Sequence, residues 1–222
     1  MIKYDEIKVL KLSDKEIDEA YLNLIKEKYL FAIINYLNEK YVLTKEKSIF
    51  KIDNIERFLC DANNDVYYRS IVGSEKKYLK QDLDLYYEYI EKYKSQMLKK
   101  YGGKYLFGSV AVRTIDNAFI TTIRGKENLK EFVVVNSVDE ENHIVNVSDK
   151  KATLNAPLLN YLFKNEKVKV IVHINHEYDG KLPNYEYAFP GTIRDSARNN
   201  STSFNIKYHG MFLLIDEKGN LL

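Results

Sequence analysis

The chain has 222 residues, 45% of them hydrophobic and 30% charged, with 34 Lys and Arg against 32 Asp and Glu and a formal net charge of +2. This is the make-up of a globular protein with a substantial core, and the even interleaving of Lys with Glu argues against a nucleic-acid surface, which concentrates its base. No stretch approaches the run of about 20 apolar residues that a membrane helix needs, the first residues lack the apolar core of an export signal, and the single cysteine, Cys60, excludes an internal disulfide, so the expected compartment is the cytoplasm.

Ser13 and Glu16 form a capping box, and Ile17, Ala20, Tyr21, Leu24 and Ile25 follow at helical spacing. From Tyr29 to Leu37 the chain is apolar almost all round, which predicts a helix whose second half is buried. "SIFKI" reads as a strand, "NIERFLCDA" as a short helix capped by Asn54, and "DVYYRSIV" as a strand ended by Gly73. A longer helix is predicted through "QDLDLYYEYIEKYKSQMLKKYGG", with Leu83, Tyr86, Tyr87, Ile90 and Met97 on one stripe and Gly102-Gly103 as its stop.

Beyond Gly103 the texture changes. "YLFGSVAVR", "NAFITTI", "EFVVVNSVD" and "HIVNVS" are short strand-like runs separated by turn residues, followed by a helix from about Ala156 to Lys164. Then come the strand "VKVIVHIN", an irregular stretch containing Pro183 and Pro190, a short helix after "AFPGT", and a last strand "FNIKYHGMFLLID". Strands and helices in this order predict an α/β or α+β sheet covered by helices. The first 80 residues form a mainly helical extension packed on that core in this reading, and residues 81–222 the domain itself.

Two of the four histidines lie at the end of "VKVIVHINH". Strand alternation points His173 and Asn175 one way and His176 the other, unless a bulge at Ile174-Asn175 rephases His176 onto the face of His173. The strand end is either a metal site or a set of polar groups that simply hydrogen-bond. The loop "TTIRGK" offers Thr122, Arg124, Gly125 and Lys126, which suits an anion or an ordinary turn with a basic tip. Asn155, with Pro157 just after it, has the chemistry of a helix cap.

Six segments in order resemble the class II aldolase/adducin family: "FGSVAVR" its Gly-Asn-x-Ser-x-Arg strand, "AFITTIRGKENL" its Ile-Thr-Pro-Ser-Gly loop, and "KKATLNAPLLNYLF" its Pro-Ser-Ser-Glu segment. "VIVHINH" resembles its His-x-His strand, "YEYAFPGT" its Tyr-Ala-x-Pro-Gly-Thr segment, and "YHGMFLL" its Asn-His-Gly strand. The resemblance implies a central β-sheet flanked by helices, a homo-oligomer, and a divalent metal, usually zinc, held by three histidines. It implies a small sugar or sugar-phosphate substrate cleaved or epimerised on that metal, and no nucleotide, flavin, nucleic acid or membrane partner.

Carried over residue by residue, the first metal histidine falls on His173 and the third on His209, while the second falls on Asn175, with His176 as the possible replacement. The catalytic glutamate falls on Asn155, an amide that cannot serve as a base; the phosphate-holding Ser-Ser pair becomes Thr153-Leu154, and the asparagine of Gly-Asn becomes Ser109. The family's C-terminal helical tail has no counterpart before Leu222. Two expectations follow: a metal-dependent lyase or epimerase with an altered site, or a non-catalytic binding or assembly module of the adducin kind.

Overall fold

A computed structural model describes residues 7–11, 31–36, 39–44, 49–52, 54–55, 58, 67–97, 108–126, 128–175, 182–186, 188, 190–196, 201–206 and 209–222. The strands β1 (Ile7–Lys11), β2 (Phe31–Tyr36), β3 (Glu39–Thr44) and β4 (Ile49–Ile52) form a four-stranded sheet in that order. β1 and β2 are parallel and the remaining pairs antiparallel.

This corrects the helical expectation for the N-terminal region. Phe31–Tyr36, predicted as the buried half of a helix, is a strand. "FAIINY" is rich in aromatic and β-branched residues, and a short run that is apolar on every side fits a buried strand as well as a buried helix. Residues 12–30, where the capping box and the helical spacing fall, lie outside the described residues.

The second sheet is built from β5 (Arg69–Val72), β6 (Ser109–Arg113), β7 (Phe119–Thr122), β8 (Phe132–Asp139), β9 (Ile144–Val147), β10 (Val170–Ile174), β11 (Asn184–Tyr185), β12 (Phe204–Ile206) and β13 (Gly210–Ile215). Its nine strands run in the order β11-β12-β13-β10-β6-β7-β8-β9-β5. The pairs β11–β12 and β9–β5 are parallel and all others antiparallel, so the sheet is mixed. Because β5 pairs with β9, the sheet takes in residues that precede the boundary expected at residue 80. The predicted last strand is two, β12 and β13, which pair antiparallel, and Gly210 starts β13.

Strand alternation divides the sheet's side chains between two cores. The helix α1 (Lys80–Met97) covers one face, turning Tyr86, Ile90 and Met97 onto Val110, Val172 and Leu213. Their spacing of four and seven residues is one helical stripe. Tyr86 donates its hydroxyl to the Glu131 carbonyl at 3.1 Å, and Lys169 reaches from the sheet to the buried carboxylate of Asp82 at 2.8 Å. The helix α2 (Ala156–Leu162) covers the other face, packing Leu158 and Leu162 with Phe119, Ile171 and Leu214. Arg113 closes its far end by donating to the carbonyls of Phe163, Asn165 and Val168, the last two at 2.7 and 2.9 Å. The short helix α3 (Ile193–Ser196) stands where the sequence predicts one.

Candidate functional site

One row of residues crosses five strands on the α2 face. His173 on β10 pairs with Ser109 on β6 and with Phe212 on β13, and Phe212 pairs with Phe204 on β12. Continuing the β6–β7 register by two residues from Ala111↔Thr121 puts Ile123 beside Ser109. Cross-strand partners share a face, so Ser109, His173, Phe212 and Phe204 line up with their side chains on one side. The rings stack in series: His173 on Phe212 at 4.2 Å between centroids, and Phe212 on Phe204 at 5.2 Å.

Two glycines let the backbones close up here. A Cβ on Gly108 (φ +90) would lie 2.5 Å from the His173 carbonyl oxygen, and one on Gly210 (φ +121) only 2.1 Å from that of Ile174. No side chain fits either position. The close approach at Gly210 seats His209 against His173, with ring centroids 4.7 Å apart and planes at 69°. Both imidazoles are buried. Asn175 follows the end of β10, half-buried, beside the Gly210 backbone. The β10–β13 ladder runs without a register shift from Val170↔Ile215 to Ile174↔Met211, so the rephasing bulge is absent up to Ile174; His176 lies outside the described residues.

His173 contacts the Met211 carbonyl through Nδ1 at 3.1 Å. A carbonyl only accepts, so Nδ1 carries the proton and Nε2 keeps its lone pair. Burial holds the imidazole neutral, its pKa pushed down to about 3; the Met211 hydrogen bond works against that shift, and the charge of Lys126 adds to it. The pKa of Lys126 is itself lowered to about 8, because surrounding protein strips water from the ammonium although the side chain keeps some surface. No carboxylate among the described residues pairs with it.

The loop that presents Lys126 is bound to the segment before α2. Ile123 bridges Ala152, Thr153 donates its amide to the Thr122 carbonyl at 3.1 Å, and Arg124 donates its amide to Lys151 at 2.9 Å and Nε to Ala152 at 3.1 Å. Arg124 thus holds the loop in place. Gly125 takes φ +62 at the turn. Asn155 opens α2 at this end of the sheet, but the expected capping role fails: its backbone is already helical (φ −74, ψ −1) and its side chain makes no cap hydrogen bond. Pro157 does stand in the first turn. On the far side of the same segment, Gly191 (φ +81) packs the Pro-Gly-Thr loop onto the Leu154 carbonyl.

Buried polar atoms at predicted site positions without a hydrogen-bond partner include Ser109 Oγ, Thr122 Oγ1 and Asn155 Oδ1. Thr122 faces away from the row, since it pairs with Phe132, whose ring packs on the α1 side. Ser109 shares the row with His173, and Asn155 lies at the same end. Thr153 is occupied locally, its Oγ1 accepting the Asn155 amide at 3.4 Å. The structure therefore brings Ser109, His173 and His209 together, places Asn155 at the start of α2, turns Thr122 to the other face of the sheet, and uses Arg124 and Thr153 in local hydrogen bonds. Phe212, the surface on which His173 lies, is not singled out by any sequence signal.

These residues do not fit a divalent cation. No group of three or more His, Cys, Asp or Glu converges on a point among the described residues. Amides stand at Asn155 and Asn175, where an acid and an imidazole are needed, and zinc selects nitrogen, sulfur or carboxylate donors. The charge of Lys126 is felt at His173, which disfavours a cation there.

No protein-family model and no curated protein sequence matches the chain. Among solved structures it is similar to L-fuculose 1-phosphate aldolase, with TM-score 0.44 and 16% identity over 60% of this chain and 74% of that one. It is also similar to YgbL, assigned as an aldolase/epimerase/decarboxylase, from Klebsiella pneumoniae (TM-score 0.43, 16% identity, 63% of this chain and 80% of that one). The YgbL of Escherichia coli gives TM-score 0.43 and 16% identity over 61% of this chain and 80% of that one.

Proposed function

We propose that the chain carries a class II aldolase-like domain whose site binds a small hydroxylated molecule without metal-dependent carbon–carbon cleavage. The observation that carries this reading is Asn155: at the position of the family's glutamate stands a buried amide whose oxygen has no partner. It can accept a hydrogen bond from a ligand but cannot take a proton in a catalytic step. The site keeps buried polar groups at Ser109, Asn155 and His173, with an amide at the position that the resemblance gives to an acid–base group.

The competing reading, a metal-dependent sugar-phosphate lyase or epimerase, needs a third ligand from Asn175 or His176 and a proton carrier other than Asn155. Tyr86 is a poor carrier, because burial raises its pKa and it lies on the α1 face. Elemental analysis of the purified protein tests the choice, with His173→Ala as control. The expected result is no stoichiometric zinc, manganese or iron; about one ion per chain, lost in His173→Ala, sinks the proposal. A homo-oligomer is proposed from the resemblance alone and is checked by light scattering. A cytoplasmic location rests on the lone Cys60; among the described residues no helix is long and apolar enough to cross a membrane.

A further inference from the structure

The nine-stranded sheet ends on β5, and that edge is open for part of its length. In the parallel ladder with β9, Arg69 donates its amide to the His143 carbonyl at 2.9 Å and Gly73 donates to that of Val147 at 3.1 Å. Backbone groups alternate sides along a strand, so Arg69, Ile71 and Gly73 face β9, while the amides and carbonyls of Ser70 and Val72 face outward. The outward amide of Tyr68 is already taken: it donates to the Gly191 carbonyl at 3.1 Å, and Tyr67 bridges Thr192. Nothing among the described residues takes the outward groups of Ser70 and Val72. The side chains are as open as the backbone. Ile71 is 46% exposed and Val72 48%, on opposite faces of the strand.

An open edge with apolar side chains pairs with further strands, and soluble proteins blunt such edges with lysine, proline or a cover. Residues 70–73 carry no lysine or proline. The pattern of open groups is instead its own complement. Laid antiparallel about a twofold axis at Ile71, Ser70 of one copy meets Val72 of the other, and the two pairs exchange four N–H···O=C bonds. Ile71 then faces its own copy in the non-hydrogen-bonded position, where cross-strand side chains come closest. Arg69 falls opposite Gly73, so no like charges oppose each other across the ladder. Glu75 follows two residues after Gly73. It and Arg69 are exposed without an ion partner among the described residues, and antiparallel pairing brings these opposite charges to the same end. The ladder also stops cleanly. Gly73, at φ +123, turns the chain out of the strand before Ser74 would reach the Gly191 loop beside Tyr68.

We infer that the β5 edge, from Arg69 to Gly73, is the surface on which two copies of this chain pair, joining their nine-stranded sheets into one across a twofold axis. This surface is independent of the His173 site and gives the proposed homo-oligomer its interface. A second copy fits better than a foreign strand, because one contact then satisfies the open groups and covers the apolar side chains of both partners. Four backbone bonds and two exposed apolar side chains from each copy make a small interface, so the dimer is of the weak, concentration-dependent class.

The test is sedimentation velocity of the full chain across a concentration series, with hydrogen exchange of the Ser70 and Val72 amides followed at the low and high ends. The apparent mass rises from one chain toward two with concentration, and the two amides exchange slowly only in the concentrated sample. Ser70→Pro removes one outward N–H from each copy without touching the β9 ladder; two of the four bonds go, and association weakens by roughly tenfold or more. Val72→Lys places a charge on the edge and abolishes pairing. Arg69→Glu weakens it, and Arg69→Glu with Glu75→Arg restores it. A circular-dichroism melt of each variant establishes that it is folded, and the exchange measurement needs no variant. A chain that stays single at every concentration overturns the inference. So do edge amides already slow to exchange in the dilute sample, which would put another segment of the same chain on β5. An oligomer that every one of these variants leaves unchanged overturns the β5 surface and leaves the homo-oligomer standing.

Discussion

His173 donates its Nδ1 proton to the backbone carbonyl of Met211 at 3.1 Å while its ring lies flat on Phe212 at 4.2 Å. The imidazole is thus fixed in one tautomer and buried as a neutral group, with its pKa pushed down to about 3. In the unfolded chain the same group titrates near its usual value of about 6.5. Above that value neither state holds the proton and the native state keeps its full stability. As pH falls from about 6.5 toward 3, the unfolded chain binds a proton that the native state refuses, and stability declines by up to about 1.4 kcal/mol per unit of pH. Urea unfolding at a series of pH values from 7 to 4 measures this slope. His173→Phe, which keeps an aromatic ring on Phe212, is expected to flatten it; identical slopes in the two proteins would show that the burial is not felt.

Lys126 has the same kind of shift with different consequences. Its pKa is lowered to about 8 from about 10.5 in the unfolded chain. Below pH 8 both states are protonated and the native state carries the desolvated charge; between about 8 and 10.5 the unfolded chain alone keeps its proton, so stability rises with pH across that window. Lys126→Met is therefore more stable than the parent at neutral pH, by about 1–3 kcal/mol once the partial exposure of the side chain is allowed for. That corresponds to a Tm increase of about 2–4 °C per kcal/mol. The gain shrinks as pH is raised from 8 to 10.5. Melts at pH 7 and pH 10 measure both effects, and a variant less stable than the parent at pH 7 contradicts the assignment of Lys126 as an enclosed, unpaired cation.

Gly210 and Gly73 make a matched pair for testing the close approach that builds the site. Both have strongly positive φ, +121 and +123, but a Cβ on Gly73 meets nothing within 4 Å, whereas one on Gly210 would meet the Ile174 carbonyl at 2.1 Å. Gly73→Ala incurs only the backbone term of about 1–3 kcal/mol. Gly210→Ala incurs that and must also force β13 away from β10, so its loss of stability is larger by at least about 2 kcal/mol. Denaturant midpoints compare the two directly. Equal losses would mean that the tight seat of His209 beside His173 is not needed for folding.

Much of the nine-stranded sheet is legible in the sequence, because β6 to β9 are short runs rich in β-branched and aromatic residues set apart by turn residues, and β10 is a continuous apolar run too short for a helix. The same reasoning fails at Phe31–Tyr36, where a run apolar on every side carries no period to choose between helix and strand. At the site, alternation alone gives the facing of His173, but the pairing of His209 with it depends on a backbone contact at Gly210 that no local pattern encodes. Asn155 has the chemistry of a cap, yet the chain enters α2 already in helical geometry, which removes the orientation a cap needs. Lys126 is visible as a basic loop tip; that its charge is felt at His173 is encoded in no local pattern.

If amides and a lysine are what keep a divalent ion out, changing them should let one in. Asn175 lies beside the Gly210 backbone, next to His209, so an imidazole at position 175 adds a third nitrogen donor to His173 and His209. Lys126→Met removes the repelling charge. The double variant Asn175→His, Lys126→Met is expected to retain about one zinc per chain after dialysis, since three imidazoles and a water complete a tetrahedral site. Asn175→His alone keeps the ammonium near the site and binds zinc at least about tenfold more weakly, the effect of a like charge worth about 1.4 kcal/mol. Elemental analysis and competition with a chromogenic chelator read out both. Uptake by the single variant that matches the double variant would show that Lys126 is too far away or too well screened to matter, and an empty double variant would show that positions 173, 175 and 209 do not converge.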